Sequence, residues 1–507
     1  VGQDNEGQVN ATVRKRSHAH VLRELDKFII GLRGGKMLFI KKKFKLLFAL
    51  TLCISLVACT GNGETDSTSS ISTPTSETST SSTDLEEKNA IQKVLKEKEE
   101  VNISFWTSTS QLNFPYLEAM VEAFEEEYPN IKVELSQQGA VSDLMDKLTQ
   151  NIVSKTTPTL SNLSPTYFSE YINSGAIIDL MPYYDDQELG FSDEEKEAFF
   201  SFYIDEAMSF GEPGTMYCFP TNKKTADVLF YNKSYFDEQG WSAPVTWDEV
   251  VAYSNSIQEN TGMPGFSYDV AYEESAFKLL SMQFGSPYID GDGTPSIDNE
   301  ASRQALNFYK DNFDAGYFTL PSEMPSAGGN YSNKGFVVGE CYMFVGAAAG
   351  VSYSIPKEES GQTLFEVGIA PIPQKDTNNE IAFSKGEDYC IFSNSTEEER
   401  VAAYLLIKFL SRDDQNVDWL IHTGNLPITS TILDMPEYKA FLEVQNDGSE
   451  EWYKAAAVNA ALEMNDYMSC ERVSASSAAL ATACGTMWKS VIIGGADIEN
   501  ALAEVVK

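Results

Sequence analysis

The sequence predicts an α/β protein, because from Val101 onward runs with strand period alternate with runs with helix period and no internal repeat is evident. The opening unit sets the pattern. Val101, Ile103 and Phe105 alternate with polar residues, which is strand period; Pro115 then opens a segment in which Leu117, Met120, Val121 and Phe124 recur at helical spacing. Ile131, Val133 and Leu135 alternate again after Pro129-Asn130, giving strand, helix, strand, the unit of a parallel sheet.

Later elements repeat this grammar. Thr246 and Glu249 form a capping box ahead of a helix with Trp247, Val250, Val251 and Ile257 inward. Asn299 is expected to cap a helix that buries Ala305, Leu306, Tyr309 and Phe313. Ser395 or Thr396, followed by Glu397 to Glu399, starts another carrying Val401, Tyr404, Leu405 and Phe409. Strands are expected at Val228 to Tyr231, Tyr342 to Val345, Val367 to Ala370 and Tyr389 to Phe392.

The N-terminal region reads differently. Lys41, Lys42, Lys43 and Lys45 precede an uncharged run of 13 residues from Leu46 to Ala58, the order of a secretory signal. A membrane-spanning helix needs about 20 apolar residues, so this run is short for a permanent span. Leu56-Val57-Ala58-Cys59 resembles a bacterial lipobox, which implies that Cys59 carries the lipid and becomes the first residue after cleavage. Residues 1 to 36 fit no secretory pattern, and Met37 is the expected start. From Glu64 to Thr83, 15 of 20 residues are Ser or Thr, a composition that buries no core and suits a tether. From Thr60 to Glu100 a flexible chain reaches on the order of 35 Å r.m.s., with a short helix possible around Ile91, Val94 and Leu95.

Composition excludes several classes. The chain holds 37 basic and 75 acidic residues; 11 basic and 4 acidic fall in residues 1 to 58, so the remainder carries a formal charge of −45. Such a surface repels nucleic acid and anionic headgroups. Roughly 400 residues follow the signal and tether, enough for two or three domains. They keep all 24 Tyr and all 6 Trp, and an acidic, aromatic-rich exported protein leans towards sugar contact, although most such rings serve the core. Beyond Cys59 the cysteines are Cys218, Cys341, Cys390, Cys470 and Cys484, an odd set in which Cys470 and Cys484 are close enough in sequence to bridge. His422 is the single histidine after residue 58, so a zinc site or a Ser-His-Asp triad would rest on it alone. Asp290-Gly291-Asp292-Gly293-Thr294 lacks the ligand spacing of an EF-hand loop and reads as a turn.

Ordered segments resemble the bacterial extracellular solute-binding proteins of ABC importers, in the maltose-type and glycerol-3-phosphate-type group. They are Ile103-Ser104-Phe105-Trp106 with the helix ending at Tyr128-Pro129, Ile178-Asp179-Leu180-Met181-Pro182-Tyr183, and above all Met216 to Glu249. Gly339 to Met343, Ala370-Pro371-Ile372-Pro373 and Thr423 to Ile428 follow in the family's order. The resemblance implies a two-lobed periplasmic-binding-protein-like α/β fold of type II, with hinge-linked lobes around a central ligand cleft. It places lobe one at 101–224 and 371–425, and lobe two at 225–370 and 426–507. It also implies an extracytoplasmic, lipid-anchored monomer that captures a carbohydrate by lobe closure and passes it to ABC permease subunits, without catalysis, metal or cofactor.

Site residues should sit at strand ends facing the cleft. Trp106 ends the first strand and Thr107 follows it, an aromatic platform beside hydroxyls; packing is the plain alternative. Asp143 lies where family members place a carboxylate near sugar hydroxyls; a solvated helix start is the alternative reading. Thr225 in the crossing segment and Tyr272 are similar candidates; the tryptophans that glycerol-3-phosphate members carry near Tyr272 are absent. Gly346 and Ala347 open Gly-Ala-Ala-Ala-Gly and present bare amides or pack tightly. Gly386 and Glu387 precede a strand at a position that approaches ligand, where a carboxylate favours a neutral polyhydroxy compound. Arg472 falls where phosphate-binding members place an arginine, and argues for glycerol-3-phosphate or a glycerophosphodiester. A secreted glycosidase with paired carboxylates, or an adhesin or sensor subunit, are the readings of other classes.

Overall fold

The computed structural model, which describes residues 88–269, 275–291, 293–329, 331–357, 364–470 and 476–506, arranges the strands into two large sheets and one two-stranded hairpin. In chain order the strands are β1 (Val101–Thr107), β2 (Ile131–Gln137), β3 (Leu160–Leu163), β4 (Phe219–Pro220), β5 (Thr225–Asn232), β6 (Phe266–Tyr268) and β7 (Tyr288–Ile289). They continue as β8 (Pro295–Ser296), β9 (Phe318–Thr319), β10 (Met343–Ala347), β11 (Val367–Ala370), β12 (Ala382–Lys385), β13 (Asp388–Ile391) and β14 (Met468–Ser469).

The first sheet has the order β2-β1-β3-β13-β4. β1 runs parallel to β2 and β3, and β13 lies antiparallel between β3 and β4. On β1 the alternation works as expected: Val101, Ile103 and Phe105 are buried while Asn102 is exposed. Helix Phe114–Glu127 begins with Pro115 in its first turn, where a missing N–H costs nothing, and buries Leu117, Met120, Val121 and Phe124. Phe124 meets Phe409 edge-on at 5.5 Å, so this helix packs beside helix Glu397–Leu410. The latter starts with a full capping box between Thr396 and Glu399. The segment ahead of β1 is partly helical: Ala90, Ile91 and Val94 are buried, Lys93 pairs with Glu398 at 2.5 Å, and Asn130 Nδ2 donates to Val94 O and Glu99 O.

The second sheet has the order β14-β12-β5-β10-β6-β9, with β11 also paired to β5. β6, β9 and β10 are parallel; β5 is antiparallel to β10, β11 and β12. Helices Trp247–Thr261, Ser275–Gln283, Glu300–Asp314 and Ser477–Ile492 belong with this sheet. Trp247 is fully buried, and its indole N–H donates to Gln283 Oε1 at 2.6 Å. Asn299 caps its helix through Ser302 N, as its sequence position predicts. β7 and β8 form a separate hairpin, in whose turn Gly293 N donates to Asp290 O at 3.0 Å.

The chain passes from β4 to β5 through Thr221–Lys224 and returns from β12 to β13 through Gly386 and Glu387. The return expected at 371 falls instead within second-sheet territory. Gln283 Nε2 donates to Pro373 O, Gln374 Oε1 and Ile381 O, and β12 pairs with β5. Leu426 adds a third strand-like contact at the crossing, its N–H donating to Lys224 O at 2.7 Å. Cys218, Cys341, Cys390 and Cys470 are unbridged, so the bridge from Cys470 to Cys484 is not formed. Among the described residues no helix is long and apolar enough to cross a membrane; the 46–58 run and Cys59 lie outside the described residues.

Candidate functional site

Two crossings bring adjacent lysines of one segment against adjacent carboxylates of the other. Lys223 pairs with Glu387, and Lys224 pairs with Asp388 at 2.7 Å and with Glu206 at 3.0 Å. Gly386 makes the close approach possible: its φ is +145°, and a Cβ there would lie 2.9 Å from Lys223 O and 3.1 Å from Lys224 Cα.

The Lys224 side is sealed. Lys224, Asp388 and Glu206 are all buried, Lys224 Nζ stands 5.3 Å over the Tyr203 ring, and Asp388 Oδ2 has no partner. Burial works against the Lys224 charge, but Asp388 and Glu206 outweigh it and hold the ammonium protonated.

The Lys223 side faces the first-sheet strand ends. Ser108, just past β1, donates to both Glu387 oxygens at 2.7 and 2.9 Å and accepts from Lys223 Nζ at 2.7 Å and Asn162 Nδ2 at 3.1 Å. Asn162 Oδ1 is buried without a partner. Thr221 Oγ1 holds the Glu387 carbonyl at 2.7 Å.

A second polar set stands at the ends of β5, β6, β10 and β12. Lys385 Nζ lies 2.5 Å from Asp227 Oδ2, which also accepts from Tyr268 OH at 3.2 Å. Asp269, just past β6, accepts from Ser332 N at 2.6 Å, and a Cβ on Gly346 would lie 2.7 Å from its Oδ2. Burial pushes the Asp269 carboxyl up to about 7; the Ser332 N–H pulls against this and the Asp227 charge adds to it. With an unfolded value of about 3.9, folding favours the protonated acid. Its contribution is therefore full below about pH 4 and is lost as pH rises through about 7. Asp269→Asn keeps an acceptor for Ser332 N, so it is expected to raise Tm at pH 8 by roughly 2 °C and leave it nearly unchanged at pH 5. An equal fall in Tm at both pH values, read by scanning calorimetry, would contradict this.

The sequence-predicted residues divide accordingly. Trp106 is half-buried against the core at the end of β1, and Thr107 is buried with its hydroxyl 2.8 Å from that of Thr109. Thr225 Oγ1 accepts from Ala349 N at 3.2 Å. Gly346 and Ala347 end β10 opposite Val228 and Asp227 of β5. Glu387 is tied to the end of β1 by Ser108, and Thr225 and Ala347 to Lys385 and Asp227 by strand pairing. Asp143 stands apart: it is exposed and accepts from Ala140 N at 3.0 Å, the geometry of a helix start. Tyr272 and Arg472 lie outside the described residues. Sequence reasoning did not single out Lys223, Asn162, Asp227, Lys385 or Asp269 as site residues. His422 stacks on Tyr116 at 3.8 Å, and among the described residues no His, Cys, Asp and Glu group could hold a metal ion.

The family of bacterial extracellular solute-binding proteins matches residues 119–446, well over half of the chain. The chain belongs to this family. As a member, the solute-binding protein works outside the cytoplasm, in a family defined by binding. No curated protein sequence matches it. Among solved structures, the cyclic α-maltosyl-1,6-maltose binding protein from Arthrobacter globiformis is 20% identical with a TM-score of 0.64, over 80% of this chain and 98% of that one. The ABC substrate-binding protein from Listeria monocytogenes in complex with cycloalternan is 19% identical with a TM-score of 0.65, over 80% and 97%. UgpB from Mycobacterium tuberculosis in complex with glycerophosphocholine is 18% identical with a TM-score of 0.64, over 80% and 96%. These similarities establish the two-lobed fold.

Proposed function

We propose that this solute-binding protein is the lipid-anchored receptor of an ABC importer, which captures a sugar or oligosaccharide by closing two lobes on it and hands it to a membrane permease. The first lobe carries the sheet of β1 to β4 and β13; the second carries β5, β6, β9 to β12 and β14. Ligand that touches both lobes only when they close shifts the population to the closed form by its differential affinity. Cys59 supplies the anchor, and the Ser/Thr-rich segment keeps the receptor near its permease.

One observation carries the choice of ligand class. Hydroxyl, amide and carboxylate groups line the strand ends, while each lysine there, Lys223, Lys224 and Lys385, is already ion-paired. A neutral polyhydroxy solute suits such a site better than an anion does. The names of the Arthrobacter and Listeria proteins point the same way. Glycerophosphodiester binding, suggested by the UgpB complex, needs a cation with spare charge, a role for which Arg472 is the candidate.

A thermal-shift panel of sugars, oligosaccharides, polyols and glycerophosphodiesters tests the reading. A solute at about 100 times its Kd should add about 2.7 kcal/mol of stability. Stabilisation by glycerophosphocholine alone would replace the sugar reading with the phosphodiester one, and turnover of an oligosaccharide would make the protein an enzyme.

A further inference from the structure

Thr225 and Asp227 lie two residues apart on β5, so both project from one face of the sheet. The Thr225 hydroxyl is engaged by Ala349 N at 3.2 Å, which ties β5 to the turn after β10. Asp227 differs. Its Oδ2 takes both Lys385 Nζ, at 2.5 Å, and Tyr268 OH, at 3.2 Å, whereas among the described residues nothing donates to Oδ1. The side chains of Asp227 and Lys385 are 11% and 20% exposed, so the pair is largely desolvated but open to a solute.

The surroundings fit one ligand chemistry. Asp227, Tyr268, Ser275 and Lys385 line a small pocket with Leu279, Ile372 and Phe383, a polar rim on an apolar wall. Ser275 Oγ lies 3.4 Å from Lys385 Nζ. The Lys385 ammonium is paired with the Asp227 carboxylate, so the pocket offers acceptor and donor functions side by side. The cavity measures about 10 Å³, room for a single hydroxyl, so an edge hydroxyl of a pyranose or polyol fits it while the C–H face of the solute meets the apolar wall.

We propose that Asp227 is the carboxylate with which the second lobe takes the hydroxyls of a neutral sugar or polyol, and that Lys385 and Tyr268 position it. This rests on the sugar-binding reading above and names its second-lobe recognition group. Two contacts fix Oδ2, so Oδ1 is held in place before the solute arrives, and the ordering cost of the contact is met in the free protein. Asp227→Asn preserves shape but removes charge and one acceptor, leaving Lys385 without its counter-ion beside the solute. Lys385→Met leaves the carboxylate charged but unpositioned.

The test is calorimetric titration of the full chain with maltose, tagatose, cycloalternan and glycerophosphocholine. The wild type is expected to bind at least one of the three carbohydrates, with Asp227→Asn and Asp227→Ala weakening that binding at least tenfold and Lys385→Met weakening it less. Wild-type affinity in both Asp227 variants would overturn the assignment while leaving sugar binding intact. Wild-type protein that binds none of the carbohydrates, or binds glycerophosphocholine alone, would overturn sugar binding and this assignment together. If urea unfolding shows that Asp227→Asn is not folded, Asp227→Glu serves instead. It keeps the ion pair and displaces the acceptor by one methylene, so a tenfold loss supports the assignment and unchanged affinity overturns it.

Discussion

Replacing Lys224 by methionine is expected to cost about 3–5 kcal/mol of folding stability, the range for breaking a buried ion pair from one side. The reason is what remains. Asp388 and Glu206 stay buried around the vacated ammonium position, and Asp388 Oδ2 already lacks a partner. Burial raises the Asp388 carboxyl even with Lys224 present, and removing the cation raises it further. The folded variant then takes up a proton at neutral pH, so the cost should be smaller at pH 6 and grow towards pH 8, by at most about 1.4 kcal/mol per pH unit. Urea unfolding at the two pH values measures both features. Lys224→Met combined with Asp388→Asn and Glu206→Gln should recover most of the loss, since no uncompensated charge is then buried. A single variant within about 1 kcal/mol of wild type would mean that water reaches the cluster.

Gly386→Ala is expected to cost about 3 kcal/mol, and its cause is backbone. A φ of +145° is costly for any L side chain, by about 1–3 kcal/mol. The added Cβ also meets Lys223 O at 2.9 Å, a backbone atom that cannot swing aside. Gly240 is the control: its φ is +72° at a helix end, with nothing within 4 Å of a built Cβ. Gly240→Ala should therefore cost about 1 kcal/mol, the left-handed penalty alone. Equal losses in the two variants, measured by urea unfolding, would show that the close approach of the crossings contributes nothing.

Local signals were the legible part of this chain. β1, helix Phe114–Glu127 and β2 follow from alternation and Pro115, and the caps at Thr246, Asn299 and Thr396 stand where Ser, Thr or Asn meets an apolar period. The expected Val367 to Ala370 strand is β11 to the residue. Strands of two residues, such as β4, β9 and β14, carry too few positions for any period to show. The crossing at 371 was misplaced for a related reason: Ala370-Pro371-Ile372-Pro373 looks like a break, whereas the element that decides sheet membership is β12, a four-residue strand with no alternation.

The site was harder because its chemistry is written in pairs. Lys223 and Lys224 look like a solvated charge run, and only their meeting with Glu387 and Asp388, far away in the chain, turns them into a cluster. Thr225 was singled out by its place in the crossing segment, whereas Asp227 two residues on gains its significance from Lys385 and Tyr268, which sequence spacing does not bring together. Glu387 was singled out for its position, but its charge is balanced by Lys223, a fact no spacing reveals.

The place of β13 has a consequence for how the protein is made. It inserts between β3 and β4, so a central strand of the first sheet comes from beyond residue 387, after the whole of β5 to β12. A chain that emerges N-terminus first during synthesis must therefore deliver most of its length before that sheet can close. Until then β3 and β4 expose unpaired edges, and the core beneath helix Glu397–Leu410 lies open. Pairing across such sequence separation is slow. Completion of the first sheet is thus held back until β13 has emerged, and the unfinished sheet is the stage most open to proteases and to association with other emerging chains.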